Sequence, residues 1–300
     1  MPQAFSPSCT KPAPSVRRGR RRALACAGAL LASVTTLLSV GTAHAAPASA
    51  APATAPATAP QGKPRVTAAV LGLDGGSRQP TLYGDDAAYD TASIIKVDIL
   101  ATLLLQAQDA GRHLTAQERA HAEPMIKSSD NAAANALWRQ IGQATGLESA
   151  NKRLGLTATK GGPGARWGLT RTTASDQIRL LRAVFDGQGT PSGSKTPSKT
   201  ASSALTEESK AYIRTLMTRI QSDQAWGVSA ASGAQWALKN GWLQRNTSGL
   251  WDVNSVGRIT VNGHHYLVAV LSDGSRSMDE GVTLVERTAR QAIAAATAGN

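Results

Sequence analysis

From Thr91 to Ala110 the chain places Ile94, Ile95, Val97, Ile99, Leu100, Leu103, Leu104 and Leu105 on nearly every side of a helix, and a helix that is apolar all round is a buried one. "TAQE" at 115–118 is a capping box and opens a second helix. The pattern predicts further helices over 131–142, 147–154, 173–185 and 206–222, the third starting at "TASD". Strand patterns occupy both ends of the folded part. "RVTAAVLGLDGGSRQPTLYG" (65–84) reads as two strands joined by a turn at "DGGS". "QWALKNGWL", "VNSVGRITV" and "HYLVAVLS" alternate or run apolar over strand lengths, and "NG" at 262–263 supplies a hairpin turn. Asp279 opens a last helix, and residues 187–204, without apolar periodicity, form an exposed loop. The expected fold class is α/β in the α+β sense. One mostly antiparallel sheet assembled from both chain ends is covered by helices and joined by an all-helical lobe.

The first residues do not fit this domain. Lys11, Arg17, Arg18, Arg20, Arg21 and Arg22 precede an apolar run over 23–40 and the small-residue site "AHA" at 43–45. That order predicts a secretory signal peptide over 1–45, exported by a general secretory or a twin-arginine route. Residues 46–64 are an Ala/Pro/Thr tract, expected to act as an extended tether, and the domain itself is 65–300. Cys26 stands too early in the apolar run for lipoprotein cleavage, so no stable membrane anchor is expected. Both cysteines, Cys9 and Cys26, lie in the removed segment, which leaves an exported domain with no disulfide or thiol nucleophile. Removing six positive charges from the formal +12 leaves about +6 on the mature chain. With no basic run interleaved with aromatics, nucleic-acid binding is not expected. A monomer is.

Two residues break the apolar helix: Ser93 and Lys96, one turn apart. On their own they fit an N-cap serine with a snorkelling lysine as well as a nucleophile with its base. "KSSDNAAANAL" then offers Ser129, Asp130 and Asn131, alone an ordinary N-cap, and "LKNGW" offers Lys239, Asn240 and Gly241, alone an ordinary turn. No G-x-S-x-G elbow, histidine-based triad or H-E-x-x-H zinc helix is present, so neither a metal nor another cofactor is expected.

Order and spacing join the three fragments. S-x-x-K on a buried helix, S-D-N, then K-[TS]-G on a late strand resembles class A β-lactamases and penicillin-binding proteins. The resemblance runs through nearly all of 65–297. It implies Ser93 as acylated nucleophile, Lys96 as its base and Ser129 as the proton relay to the leaving nitrogen. It also implies Asn131 on the substrate's side-chain amide, Lys239 near the substrate carboxylate, and Gly241 as the site of close substrate approach. The N–H groups of Ser93 and Trp242 would form the oxyanion hole. Two departures stand out. The loop Gly155–Arg171, where class A enzymes keep a glutamate in E-x-x-L-N to activate the deacylating water, has no Asp or Glu. Asn240 replaces the usual Thr or Ser, which puts recognition of a penicillin carboxylate in doubt. The expected activity is that of a secreted serine hydrolase or acyl transferase on small or cell-wall-like peptide amides, poor at deacylation. A true β-lactamase and a non-catalytic binding protein on the same fold are the alternatives.

Overall fold

Neighbouring residues on the central strands serve opposite layers. In a computed structural model, residues 62–74, 79–186, 204–233 and 235–298 are described. The expected signal peptide, nearly all of the tether, turn residues 75–78 and loop residues 187–203 lie outside them. The strands are β1 (Arg65–Gly72), β2 (Thr81–Tyr83), β3 (Tyr89–Asp90), β4 (Arg171–Thr172), β5 (Trp236–Gln244), β6 (Trp251–Val261) and β7 (His264–Ser275). A five-stranded antiparallel sheet runs β2-β1-β7-β6-β5, and β3 pairs with β4 beside it. Ala69 of β1 stands opposite Ala269 of β7, so the two chain ends build one sheet, as the strand patterns predict.

The helices are α1 (Ile95–Asp109), α2 (Ala116–Lys127), α3 (Asn131–Gln140), α4 (Gln143–Leu154), α5 (Ala174–Phe185), α6 (Glu207–Met217) and α7 (Met278–Ala298). Ala68, Val70, Val268 and Val270 pack towards Val285 and Ala289 of α7. Ala69, Leu71, Ala269 and Leu271 face the larger core built on α1 to α6. Strands covered on both faces explain why "HYLVAVLS" runs apolar instead of alternating. α1 is surrounded by α2, α3, α4 and α6. Its Ile95, Val97, Ile99, Leu100 and Leu103 are fully buried. Each such side chain contributes roughly 1.5–3 kcal/mol, enough together to hold Lys96 and Asp98 inside on the same helix.

Some boundaries differ from expectation. α4 begins at Gln143, not 147, because Gly146 fits inside the helix; a Cβ there would lie 1.6 Å from the Ile141 carbonyl oxygen. α6 ends at Met217, and a separate 3₁₀ turn, Ser222–Gln224, follows after Gln221 N–H bonds the Lys127 carbonyl. The predicted capping box forms: Thr115 Oγ1 accepts from Glu118 N–H at 3.1 Å, and Thr115 N–H donates to Glu118 Oε2 at 2.6 Å.

Candidate active site

Ser93 lies in a 3₁₀ turn, Ala92–Ile94, that precedes α1, not within the α-helix the pattern predicts. The turn is fixed from two sides. Thr91 N–H bonds the Thr170 carbonyl at 2.8 Å. Asn254 of β6 donates to the carbonyls of Asp90 at 2.8 Å and Thr91 at 3.1 Å, while its Oδ1 accepts from Ser272 N–H at 3.0 Å. Ala92 has φ +46° and Ser129 φ +57°. Non-glycine residues in this region cost on the order of 1–3 kcal/mol each and persist where the surroundings over-determine them.

β5 completes the support. A Cβ on Gly241 would lie 2.7 Å from Ser93 N, 2.8 Å from Ile94 N and 2.8 Å from the Thr91 carbonyl oxygen. Only glycine lets strand and turn touch at this distance. The close approach expected of Gly241 is thus made by the protein's own Ser93 turn. Trp242 follows, half-buried, its ring tilted against Trp226 with centroids 5.9 Å apart.

Ser129 lies between two buried lysines. Lys96 Nζ donates to the Ser129 carbonyl at 2.6 Å, to Ser129 Oγ at 3.1 Å and to Asn131 Oδ1 at 2.7 Å. Lys239 Nζ donates to Ser129 Oγ at 3.0 Å and to the Asn240 carbonyl at 2.8 Å. No hydrogen bond joins Ser93 and Lys96 among the described residues, and the three protons of Lys96 have these acceptors. Burial pulls the Lys96 ammonium down to about 7, with the Asp130 charge opposing. Burial, helped by the Lys96 charge, holds Lys239 well below the usual lysine range. Asp130 has the routine role, capping α3 through Ala133 N–H at 2.7 Å.

One expectation for β5 needs correction. Asn240 turns its amide away from the cleft, donating to the carbonyls of Gln224 at 2.8 Å and Trp226 at 3.0 Å, so it offers a substrate carboxylate no N–H. Lys239 is 1 % exposed and faces Ser129.

The open space is a cleft of about 610 Å³ lined by Ser93, Asn131 and Trp242 together with residues 165–169 and 243–247. None of its lining residues is Asp or Glu. Sequence reasoning misses the parts that Trp167, Asn135 and Arg245 play in this lining. Trp167 holds its ring 4.8 Å from Lys96 Nζ and donates Nε1–H to Asn135 Oδ1 at 2.8 Å. Arg245 pairs with Asp90, and its Nη1 is 3.7 Å from Asp252, whose carboxyl burial pushes up to about 6. An aromatic in a glycine-rich loop and an arginine after a strand carry no signal in one sequence. Asn254, a polar residue between the valines of a strand, carries one.

The loop itself is anchored at several points. Lys160 bridges Arg171, Gly161 N–H bonds Glu148 at 2.9 Å, and Trp138 Nε1–H bonds the Gly164 carbonyl at 2.7 Å. Asp176 of α5 accepts from Ala158 N–H and Thr159 Oγ1, each at 2.8 Å.

A model of the beta-lactamase enzyme family matches residues 104–296. The chain belongs to that family. The match begins downstream of Ser93 and Lys96, so the geometry above carries that motif separately. The chain is 34% identical over 124 residues to "Putative lipoprotein LppW" of Mycobacterium tuberculosis (strain ATCC 25618 / H37Rv), and equally so to that of Mycobacterium bovis; the stretch covers 41% of this chain and 39% of the relative. The chain thus spans well under half the length of these curated relatives. Among solved structures, the TLA-1 extended-spectrum β-lactamase superposes with a TM-score of 0.63 at 16% identity, over 78% of this chain and 93% of that one. A point mutant of PBP-A, in an acyl-enzyme complex with penicillin G, gives 0.62 at 20% identity, over 80% and 92%. A β-lactamase from Sphaerobacter thermophilus DSM 20745 gives 0.60 at 17% identity, over 79% and 93%. At these identities the likeness is one of fold. Among the described residues, no helix is long and apolar enough to cross a membrane.

Proposed function

We propose that this member of the beta-lactamase enzyme family is an exported serine hydrolase or acyl transferase. It works through an acyl-Ser93 intermediate on an amide or β-lactam-like substrate and deacylates slowly. The observation that carries the reading is the sharing of Ser129 Oγ by Lys96 and Lys239, beside the cleft that Ser93 lines. A hydroxyl between two amines, one of them near neutrality at ordinary pH, can pass a proton in either direction.

In the proposed reaction, Ser93 Oγ attacks the carbonyl carbon as Lys96, in its neutral form, takes the proton. The oxyanion is held by the N–H groups of Ser93 and Trp242, an interaction for which one donor is typically worth about 10²–10³ in rate. Ser129 then protonates the leaving nitrogen and takes from Lys96 the proton removed from Ser93, which leaves Lys96 neutral in the acyl-enzyme. Asn131 steers Lys96 and, from its exposed position on the cleft wall, binds the substrate's amide. Slow deacylation is supported by the cleft lining, which holds no carboxylate to activate water. A mutant of PBP-A, similar in fold, was captured as an acyl-enzyme with penicillin G, the kind of adduct proposed on Ser93.

The test is to mix the purified protein with a reporter penicillin and follow its mass. An adduct that forms on Ser93 and persists supports the reading. Rapid return to the free mass with excess drug hydrolysed identifies a true β-lactamase instead.

A further inference from the structure

The carboxylate-free loop puts something else where it meets Lys96. Trp167, in the 3₁₀ turn Trp167–Leu169, presents its ring face to Lys96 Nζ at 4.8 Å. An ammonium over an indole face is an attractive contact, and the ring is held in place at its other end by Asn135. Asn131 and Asn135 lie one turn apart on α3, so a single helix face fixes both partners: Asn131 accepts from Lys96, Asn135 from Trp167. With Ser129 and Asn131 accepting its protons, Lys96 Nζ is covered by the indole face on the loop side. The loop that carries Trp167 is anchored by Glu148 and Asp176, so this cover does not depend on a ligand closing it.

We infer that Trp167 is a water shield: its ring keeps solvent from Lys96 on the loop side of the acyl-serine, so the lifetime of the acyl-enzyme is set by this residue. The inference rests on the acyl-Ser93 reading above. Hydrolysis requires a water oxygen to attack the ester carbonyl while its proton passes to a base. The bond from carbonyl carbon to Ser93 Oγ then breaks, the serine regains a proton and a free carboxylic acid departs. Lys96 is the one nearby base that acylation would leave able to accept that proton, and Trp167 covers it. An acyl acceptor arriving along the open cleft, from the side of residues 243–247, meets no such obstacle.

The experiment compares the full protein with Trp167→Ala and Trp167→Phe by two readouts. The first is the half-life of the penicillin adduct by mass spectrometry. The second is the titration of Lys96 by NMR of the ¹³C-labelled lysine side chain. With the shield removed, Trp167→Ala shortens the half-life by on the order of 10²-fold, the scale of general-base assistance to water. Its Lys96 midpoint moves upward from about 7 as solvent enters. Trp167→Phe, which keeps an apolar ring, stays near wild type in both. An unchanged half-life or an unchanged midpoint in Trp167→Ala overturns the inference. If the wild-type protein takes up no penicillin, the acyl-serine reading fails, and the titration alone then decides whether Trp167 shields Lys96.

Discussion

The two walls of the cleft are built by different means. On the strand-and-helix side, Ser93, Lys96, Ser129, Lys239 and Gly241 hold one another through direct hydrogen bonds and a backbone contact that only glycine permits. On the loop side, Trp167 touches the same lysine through its ring face and owes its place to Asn135. A wall of hydrogen-bonded polar groups demands particular residues at particular spacings. A wall that serves by covering demands bulk and little else. The first kind leaves a signature in a sequence, and the second does not.

The comparison breaks most sharply at Ser93. Ser93→Ala is expected to abolish covalent labelling by an acylating probe, and labelling that survives would move the nucleophile elsewhere. Next in size is Lys96→Ala, expected to slow acylation by about 10²–10⁴. In the wild-type protein the acylation rate should climb as pH rises through about 7, where Lys96 loses its proton. A rate flat from pH 5 to 9 would remove Lys96 as base.

Two smaller changes probe the support beneath Ser93. Gly241→Ala forces a Cβ into the backbone of the Ser93 turn, a crowding typically worth about 1–3 kcal/mol. It should lower both the melting temperature and the acylation rate. Asn254→Ala strips the Asp90 and Thr91 carbonyls of a donor, at about 1–3 kcal/mol for buried groups left unpaired. Its acylation should fall by more than its stability alone accounts for, because the turn loses both carbonyl contacts while the sheet loses only the one to Ser272. Denaturation curves set beside acylation rates separate the two effects.

A further effect concerns pH and stability. Asp98, two residues beyond Lys96 and fully buried, is raised from 3.8 to about 7 by burial, despite the bond from Asn151. The folded state therefore holds the Asp98 proton more tightly than the unfolded chain. This contribution is full below about pH 4 and is lost as pH rises towards 7. Lys96, lowered from 10.5 to about 7, works in the opposite sense. Its burial penalty is relieved as pH rises from about 7 to 10.5. Together they place a stability minimum near neutrality. Urea unfolding at pH 5, 7 and 9 reads it, and Asp98→Asn should flatten the acid side alone.

Much of the molecule was legible before the structure. The sheet from both chain ends, the buried α1 and the capping box at Thr115 follow from periodicity and capping chemistry, which are local. The meeting of Ser93, Ser129 and Lys239 around one region followed from three motifs in order. Side-chain direction was harder to read. Asn240 occupies the letter where a hydroxyl is usual, yet its amide closes the segment around Gln224 and Trp226, a partner far away in sequence. Lys96 bonds Asn131 and not Ser93, a choice made by α3 docking on α1. Trp167 reads as one aromatic among six tryptophans in the chain until the fold brings it over Lys96.

The sheet's assembly from both ends has a kinetic consequence. Ala69 waits for Ala269, and the Ser93 turn waits for Gly241 and Asn254. Contacts this distant in sequence carry a loop-closure cost before they return any stability, and chains dominated by them fold slowly. The Ser93 turn therefore acquires its geometry only once β5 and β6 are in place. A chain synthesised only as far as α6 has the serine, its lysine and Ser129, yet neither strand that shapes the turn.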